Sequence, residues 1–364
     1  MSWIADKPYN ELPSPPSDDD LETKRVLKAS VAATAALVKL DQAAASMPNP
    51  DVLINTIPLL EAQASSEIEN IVTTTDELFR HSEDESGASD PATRETLRYR
   101  TALRRGFSLT EERGLTASTA TAVCSIIKNR EMKVRAVPGT RIANPATGEI
   151  IYSPPEGREQ IEAKLAEWER FIHNTPSLDP LVRMAAAHYQ FEAIHPFSDG
   201  NGRTGRIVNV LMLVQAGLLR MPVLYLSRYI IDTKNDYYRL LLAVTGDGAW
   251  EDWILYILRG IEVTSMTTLG KIEDIRSLQE DFGERSRTVT KGAAHAVFQS
   301  VLFEQPYTRI NAVVSRCEVS RPTATAWLNA LVAAGLLRDV KVGRDRLFIN
   351  WEFLQLLSRR EPLE

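Results

Sequence analysis

Cysteine is nearly absent from this chain: Cys124 and Cys317 stand far apart among 364 residues. Without partners at metal-ligand spacing they exclude a disulfide framework and a cysteine zinc site, and they fit a reduced, cytoplasmic setting. No apolar run reaches the ~18 residues that a membrane span needs. The opening MSWIADKPYNELPSPPSDDD lacks an apolar signal core, so a soluble chain that is not exported and has no membrane partner is expected. Basic charge is not in excess, with 42 Lys and Arg against 48 Asp and Glu and a net charge of −6. That balance argues against wholesale nucleic-acid binding but leaves room for a small basic module at one end. No repeat of solenoid period occurs. The 44% of hydrophobic residues suffices for one large core or two to three smaller ones.

Helical periodicity dominates. After the Pro- and Asp-rich opening, one helix is expected in LETKRVLKASVAATAALVKLDQAAA, and a second after Pro48 and Pro50, through IPLLEAQASSEIENIVTTTDELFR. HSEDESGASD reads as a surface loop, Pro91 opens ATRETLRYRTALRRGF, and SLTEERGLTASTATAVCSIIKN carries one or two further helices. Strand signals appear only in VRAVPGTRIANPATGEIIYSPPEG, an irregular hairpin around Asn144, Pro145 and Gly148. Helix resumes in REQIEAKLAEWERFIHN and DPLVRMAAAHYQFEAIHPF, in the apolar GRTGRIVNVLMLVQAGL, in NDYYRLLLAV, and in a long connector beginning EDWILYILRG.

Between two of these helices lies HPFSDGNGRTGR, His195 to Arg206. Gly200, Asn201 and Gly202 precede a helix start, where free N–H groups and the helix dipole make an anion nest. Arg203 and Arg206 share the face of the first helical turn, placed to clamp phosphate oxygens. Asp199 at the mouth of such a nest would be repelled by phosphate unless a hard cation such as Mg²⁺ bridged them. A nucleotide polyphosphate with one metal satisfies these residues together. His195 is suited to take a proton from an incoming nucleophile, and Phe197 reads as the apolar anchor of the loop.

HPFSDGNGRTGR resembles the signature of the Fic family at every defined position, and the resemblance extends from about Tyr9 to Gly260. It implies a mainly α fold: a helical bundle core with a β-hairpin flap, here followed by a small winged helix-turn-helix domain. It implies an enzyme, a protein adenylyltransferase moving AMP from ATP to a Ser, Thr or Tyr hydroxyl of a target protein, or of the chain itself, with release of pyrophosphate. In that reading His195 is the general base, Asp199 holds Mg²⁺, and Gly200, Asn201, Gly202, Arg203, Thr204, Gly205 and Arg206 bind ATP. Gly202, where related kinases carry Lys or Arg, favours AMP transfer. Ser65-x-x-x-Glu69-Asn70 resembles the family's inhibitory motif, which implies that Glu69 pairs with Arg206 and turns the site off. Tyr237 and Tyr238 match the family's adenosine-contacting segment, with a core role as the alternative for both. The hairpin matches the flap that aligns a target segment by strand addition. Removal of AMP by the same site is an alternative activity, and a nucleotide-sensing DNA-binding regulator is another. His188 is read as a satisfied core histidine.

The domain layout that follows is an N-terminal helical region over 1–100 with the inhibitory helix at about 62–80, and a catalytic core over 101–265 with its flap at 134–153 and active loop at 195–206. A helical connector at 266–287 and a winged-helix-like domain at 288–364 complete it. That last segment carries about +3, ten Lys and Arg against seven Asp and Glu from Thr288 onward. Its expected second helix runs from Arg321 to Leu337, capped by Ser320, with Arg321, Thr323 and Thr325 outward and Gly343 turning a wing flanked by Lys341, Arg344 and Arg346. DNA binding through this module is the less favoured reading beside protein contact, and a homodimer stays open as a further partnership.

Overall fold

A computed structural model describes residues 3–143, 147–342 and 345–361. The chain opens with one helical turn, α1 (Asp18–Leu21), then α2 (Lys24–Ala45), α3 (Asp51–Ile68), α4 (Thr75–Arg80), α5 (Pro91–Arg113) and α6 (Ala117–Lys128). The short strands β1 (Ile142–Ala143) and β2 (Ile150–Tyr152) pair antiparallel with an irregular register, Ile142 opposite Tyr152 and Ala143 opposite Ile150. α7 (Arg158–Asn174), α8 (Pro180–Ile194), α9 (Asn201–Gln215), α10 (Leu226–Asp232), α11 (Lys234–Asp247) and α12 (Trp250–Arg287) follow. The fold is mainly α, as expected, and among the described residues no helix is long and apolar enough to cross a membrane.

α8 and α9 form the centre. Both are buried on nearly all sides, with apolar residues on most faces and polar ones such as His188, Arg203 and Arg206 buried among them. α8 packs on α7, α9 and α12, and α9 packs on α5 and α6. Trp168 of α7 and Trp253 of α12, both fully buried, donate their indole N–H groups to the Ala187 and Ala185 carbonyls of α8 at 3.0 and 2.8 Å. Their polar edges are thereby satisfied inside an apolar layer. His188 lies in the core as expected, 1% exposed, stacked on Trp253, with Nε2 2.9 Å from the Tyr237 hydroxyl. It is not fully satisfied, because its buried Nδ1 has no hydrogen-bond partner among the described residues.

The structure corrects several boundaries. The segment expected as one inhibitory helix over 62–80 is two helices, because α3 stops at Ile68. Asn70 there is left-handed (φ 61°), its N–H donates to the Glu67 carbonyl, and the Ile71 N–H donates to Ser66, both at 3.0 Å. This pairing is a Schellman cap, and the β-branched residues that follow do not resume a helix until Thr75. α5 runs on through SLTEER to Arg113, so the division at residue 100 cuts a helix; so does that at 265, since α12 is continuous. Of the hairpin turn, Asn144 and Pro145 lie outside the described residues.

The C-terminal module contains α13 (Ala296–Glu304), β3 (Tyr307–Arg309), α14 (Ile310–Cys317), α15 (Arg321–Ala333), β4 (Arg338–Val342), β5 (Asp345–Ile349) and α16 (Trp351–Ser358), with sheet order β3-β5-β4. This is the element order of a winged helix-turn-helix. Ser320 caps α15 through the Thr323 N–H, but the helix ends at Ala333, four residues before the expected Leu337, with Gly335 left-handed and β4 beginning at Arg338. Gly343 and Arg344 lie outside the described residues. The module packs on the N-terminal helices: the Tyr307 hydroxyl meets Asp76 at 2.5 Å, and Arg309 pairs with Glu83 at 2.8 Å.

Candidate active site

The loop between α8 and α9 is fixed by its own neighbours. α8 ends with His195 in a left-handed conformation (φ 49°), its N–H donating to the Phe191 carbonyl at 3.0 Å, and Pro196 prevents continuation. A left-handed non-glycine residue at a helix end is strained and holds only where its surroundings over-determine it. Here they do. Arg135, 6% exposed, donates from Nε to the His195 carbonyl at 2.7 Å and from Nη2 to Ile194 at 3.3 Å, and its own N–H reaches Pro196 at 3.0 Å. Asn201, 2% exposed, closes the turn by accepting from the Phe197 N–H and donating to the Phe197 carbonyl, both at 2.8 Å. Gly200 precedes α9 at φ 80°, where a side chain would be strained and would press on Lys128 and Cys124. Asp199, its side chain 51% exposed, stands at the rim.

The expected arginines are buried, Arg203 to 1% and Arg206 to 3% of their side chains. Glu69, the C-cap of α3, meets both: Oε1 is 2.9 Å from Arg206 Nη2 and Oε2 is 2.6 Å from Arg203 Nε. Ser65, one turn earlier, accepts from Arg206 through its hydroxyl at 2.7 Å and its carbonyl at 2.9 Å. The pairing of Glu69 with Arg206 drawn from the motif is present, and the second pairing, with Arg203, is new. Although burial works against its charge, Glu69 holds the Arg206 guanidinium well above its ordinary pKa. Gly202 makes room for the cluster, since a Cβ there would lie 2.9 Å from both Arg206 Nη1 and Glu69 Oε1.

The other predicted residues divide. Thr204 is 0% exposed, and Gly205 lies against α8, where a Cβ would sit 2.5 Å from Glu192 Oε1. Its smallness serves helix packing. Tyr237, expected at the adenosine, is 1% exposed with its hydroxyl on His188, so the core alternative holds for it; Tyr238, 46% exposed, keeps an accessible ring. Sequence reasoning missed Glu95, Lys128, Arg135 and Glu192, which lay in segments read only as helix or strand. Glu95 Oε1 accepts from Arg203 at 2.7 Å and from Lys128 at 2.8 Å, and Lys128 also pairs with Asp199 Oδ2 at 2.7 Å. Despite partial burial, these cations hold the Glu95 and Asp199 carboxyls below their ordinary values. Burial pushes Glu192 up to about 7 against the pull of Arg206. Burial, with Arg135 beside it, pushes the His195 imidazole down to about 4. The imidazole is therefore neutral at physiological pH and free to accept a proton.

Among the described residues no group of three or more His, Cys, Asp or Glu side chains gathers to hold a metal ion. In the C-terminal module Arg346 pairs with Asp339 at 2.7 Å, Arg316 pairs with Glu304 at 2.5 Å, and Arg321 reaches the neutral Asn311 side chain at 2.6 Å.

Three family models match the chain: Fic/DOC family N-terminal over residues 27–108, Fic/DOC family over 119–213, and the C-terminal domain of "Protein adenylyltransferase SoFic-like" over 296–353. "Protein adenylyltransferase fic-1" of Caenorhabditis elegans is 30% identical over 121 residues, 33% of this chain and 22% of the relative. "Protein adenylyltransferase Fic" of Drosophila yakuba is 36% identical over 96 residues, 26% of this chain and 18% of the relative. The matched region thus spans about a fifth of the length of these curated relatives. Among solved structures, a Fic family protein from Desulfovibrio desulfuricans G20 aligns with TM-score 0.51 at 20% identity, covering 93% of this chain and 98% of that one. Fic-1 from C. elegans aligns with TM-score 0.53 at 18% identity over 69% and 74% of the two chains. These likenesses establish the fold.

Proposed function

The chain belongs to the Fic/DOC family, and from that premise we propose that it is a protein adenylyltransferase, transferring AMP from ATP to a Ser, Thr or Tyr hydroxyl of a target protein or of itself. The observation that carries the reading is the convergence, on one loop, of a neutral histidine, a glycine-flanked helix start and two buried arginines. In the reaction His195 takes the proton of the attacking hydroxyl. The hydroxyl oxygen bonds to the α-phosphorus as the bond from that phosphorus to the bridging oxygen breaks, and pyrophosphate leaves. The start of α9 directs free N–H groups and the positive end of its dipole at the triphosphate, and Arg203 and Arg206 take its charge. As the polyphosphate binds, its negative charge raises the imidazole from about 4 toward a pKa better matched to proton transfer.

Mg²⁺ fits Asp199 as a shared ligand rather than a protein-built cage. The carboxylate is half-exposed at the rim and already holds an ammonium 2.7 Å from Oδ2, and Mg²⁺ commonly takes one or two carboxylates together with substrate phosphates. When bound it supplies neutralisation of the developing phosphate charge.

As the structure stands, Glu69 occupies both arginines. We read it as a brake: a carboxylate that shares Arg203 and Arg206 leaves the γ-phosphate without its clamp, so ATP sits unproductively. One observation favours the second reading, removal of AMP, because the Glu69 side chain remains 24% exposed beside the nest and could orient a water. Docking of the target strand along β1 and β2, pairing with a second copy, and a cytoplasmic setting are parts of the same proposal; DNA remains the less favoured partner of the C-terminal module. The test is incubation of the purified chain with Mg-ATP and mass spectrometry for AMP on the protein, beside His195→Ala. AMP on the first and none on the second supports the enzyme. Regulatory output that survives His195→Ala would instead mark a nucleotide sensor.

A further inference from the structure

On the far side of Arg203 the loop motif is joined by ion pairs to residues outside it, Lys128 and Glu95. Asp199, Lys128, Glu95 and Arg203 alternate in sign along an unbroken path, at 2.7, 2.8 and 2.7 Å. Lys128 is the last residue of α6, its side chain only 16% exposed. Its stem lies against Gly200, where a Cβ would meet Lys128 Cδ at 3.3 Å. Its ammonium has two carboxylates in reach, Asp199 at the rim and Glu95 behind it. The flanking Asn129 (φ 50°) closes α6 with a Schellman cap, the Asn129 N–H on Ile126 and the Arg130 N–H on Ser125, both at 3.1 Å. The helix end that carries Lys128 is thereby fixed.

We propose that Lys128 and Glu95 are positioning residues that set how strongly Asp199 takes a divalent cation: Lys128 holds the carboxylate while no metal is present, and Glu95 retains the ammonium when a metal takes Asp199. The proposal rests on the reading of Asp199 as the metal carboxylate. A dication and an ammonium cannot share one carboxylate oxygen without strong like-charge repulsion. Without Glu95, the displaced ammonium would have to leave a largely buried position unpaired, which is costly. With Glu95, which it already meets at 2.8 Å, the ammonium keeps a partner when Asp199 is taken. Lys128 thus competes with the metal while Glu95 favours it, although the two form an ion pair with each other. An ion pair that merely fastened α6 to α5 would give its two members effects of the same sign.

The test compares binding of α,β-methylene-ATP, whose α–β linkage the enzyme cannot cleave, with and without Mn²⁺ by isothermal titration calorimetry. The full chain carries Glu69→Gly so that its arginines are free for the nucleotide. The quantity read is the factor by which Mn²⁺ tightens binding, a ratio from which metal-independent effects on the nucleotide cancel. Asp199→Asn should bring that factor close to one. Lys128→Met, which keeps the stem against Gly200, should raise it roughly tenfold. Glu95→Gln should lower it, and the double variant should match Lys128→Met, since without the ammonium Glu95 has nothing to retain. A damaged fold cannot raise the factor, and Glu95→Gln supplies an independent reading should Lys128→Met fail to fold. An unchanged or lower factor in Lys128→Met, or a higher one in Glu95→Gln, overturns the proposal while leaving Asp199 as the metal carboxylate. An unchanged factor in Asp199→Asn removes that reading and the proposal with it.

Discussion

The two halves of HPFSDGNGRTGR are built in opposite ways. From His195 to Asn201 the loop is closed by short-range bonds, the His195 N–H on Phe191 and the Asn201 side chain on both polar groups of Phe197, together with contacts from Arg135, Cys124 and Lys128. Arg203 and Arg206 are instead held from a distance, by Glu95 108 positions away, Glu69 137 away and Ser65 141 away. None of these contacts to the first half comes from α3. A half clamped by α3 can be released by moving that helix, with the His195 contacts to Phe191 and Arg135 left in place. In the proposed reading, chemistry and control occupy the same twelve residues and meet at Glu95, which holds Arg203 directly and Asp199 through Lys128.

The largest expected effect tests whether the local half carries the chemistry. In a chain carrying Glu69→Gly, His195→Ala should reduce AMP transfer from labelled ATP by about 10²- to 10⁴-fold, the usual contribution of a positioned general base, while calorimetry still detects ATP binding. A modest loss would mean that the proton goes elsewhere. Next comes the distant half: Glu69→Gly alone should raise transfer, on the order of 5- to 150-fold if the brake has the strength of a typical coupling. Equal rates for the two proteins would leave the Glu69 contacts with a purely structural role. Ser65→Ala removes one of the hydroxyl and carbonyl contacts to Arg206 and leaves Glu69 in place. It should raise transfer only severalfold, in keeping with ~1 kcal/mol for one hydrogen bond.

The same division explains what the sequence disclosed. What was legible rested on local pattern: Gly200, Asn201 and Gly202 just before a helix start, and arginines three apart on one helical turn. Glu69 was legible only through a motif, and the structure supplies its physical content, since Asn70 is the left-handed residue of the cap that ends α3 and places Glu69 at its tip. The helix was expected to run to residue 80 because periodicity continues through TTTDELFR, while the left-handed cap that interrupts it depends on backbone geometry that Asn permits without requiring. Glu95, Lys128 and Arg135 were illegible because each is one charged residue in an amphipathic helix or an irregular strand. Nothing local separates them from solvated neighbours. Tyr237 and Tyr238 share one segment, and only the packing of α11 on α12 decides that the first is core and the second accessible.

Two smaller effects sharpen the contrast. Asn201→Ala leaves the Phe197 N–H and carbonyl without their buried partner, so chemical denaturation should show a loss of ~2–4 kcal/mol. Transfer should fall by the same factor with or without Glu69, because the loop closes independently of α3. A loss of the added activity of Glu69→Gly, and nothing more, would instead mean that the two halves share a support.

The pH dependence of kcat/KM, which reports groups of the free enzyme, completes the series. In Glu69→Gly an ordinary histidine base would lose half its activity near pH 6.5, where imidazole gains its proton. Here burial and Arg135 hold the imidazole down to about 4, so its active neutral form persists above that value and is lost only as pH falls through it. The profile should stay level from about pH 7 down to 5.5 and then decline toward 4, provided ATP protonation is corrected for. Arg135→Met should move the decline toward higher pH, because it removes the neighbouring positive charge that disfavours the imidazolium. A decline centred at 6.5 in the parent would place His195 in an ordinary aqueous setting and detach its basicity from the buried guanidinium that fixes the end of α8.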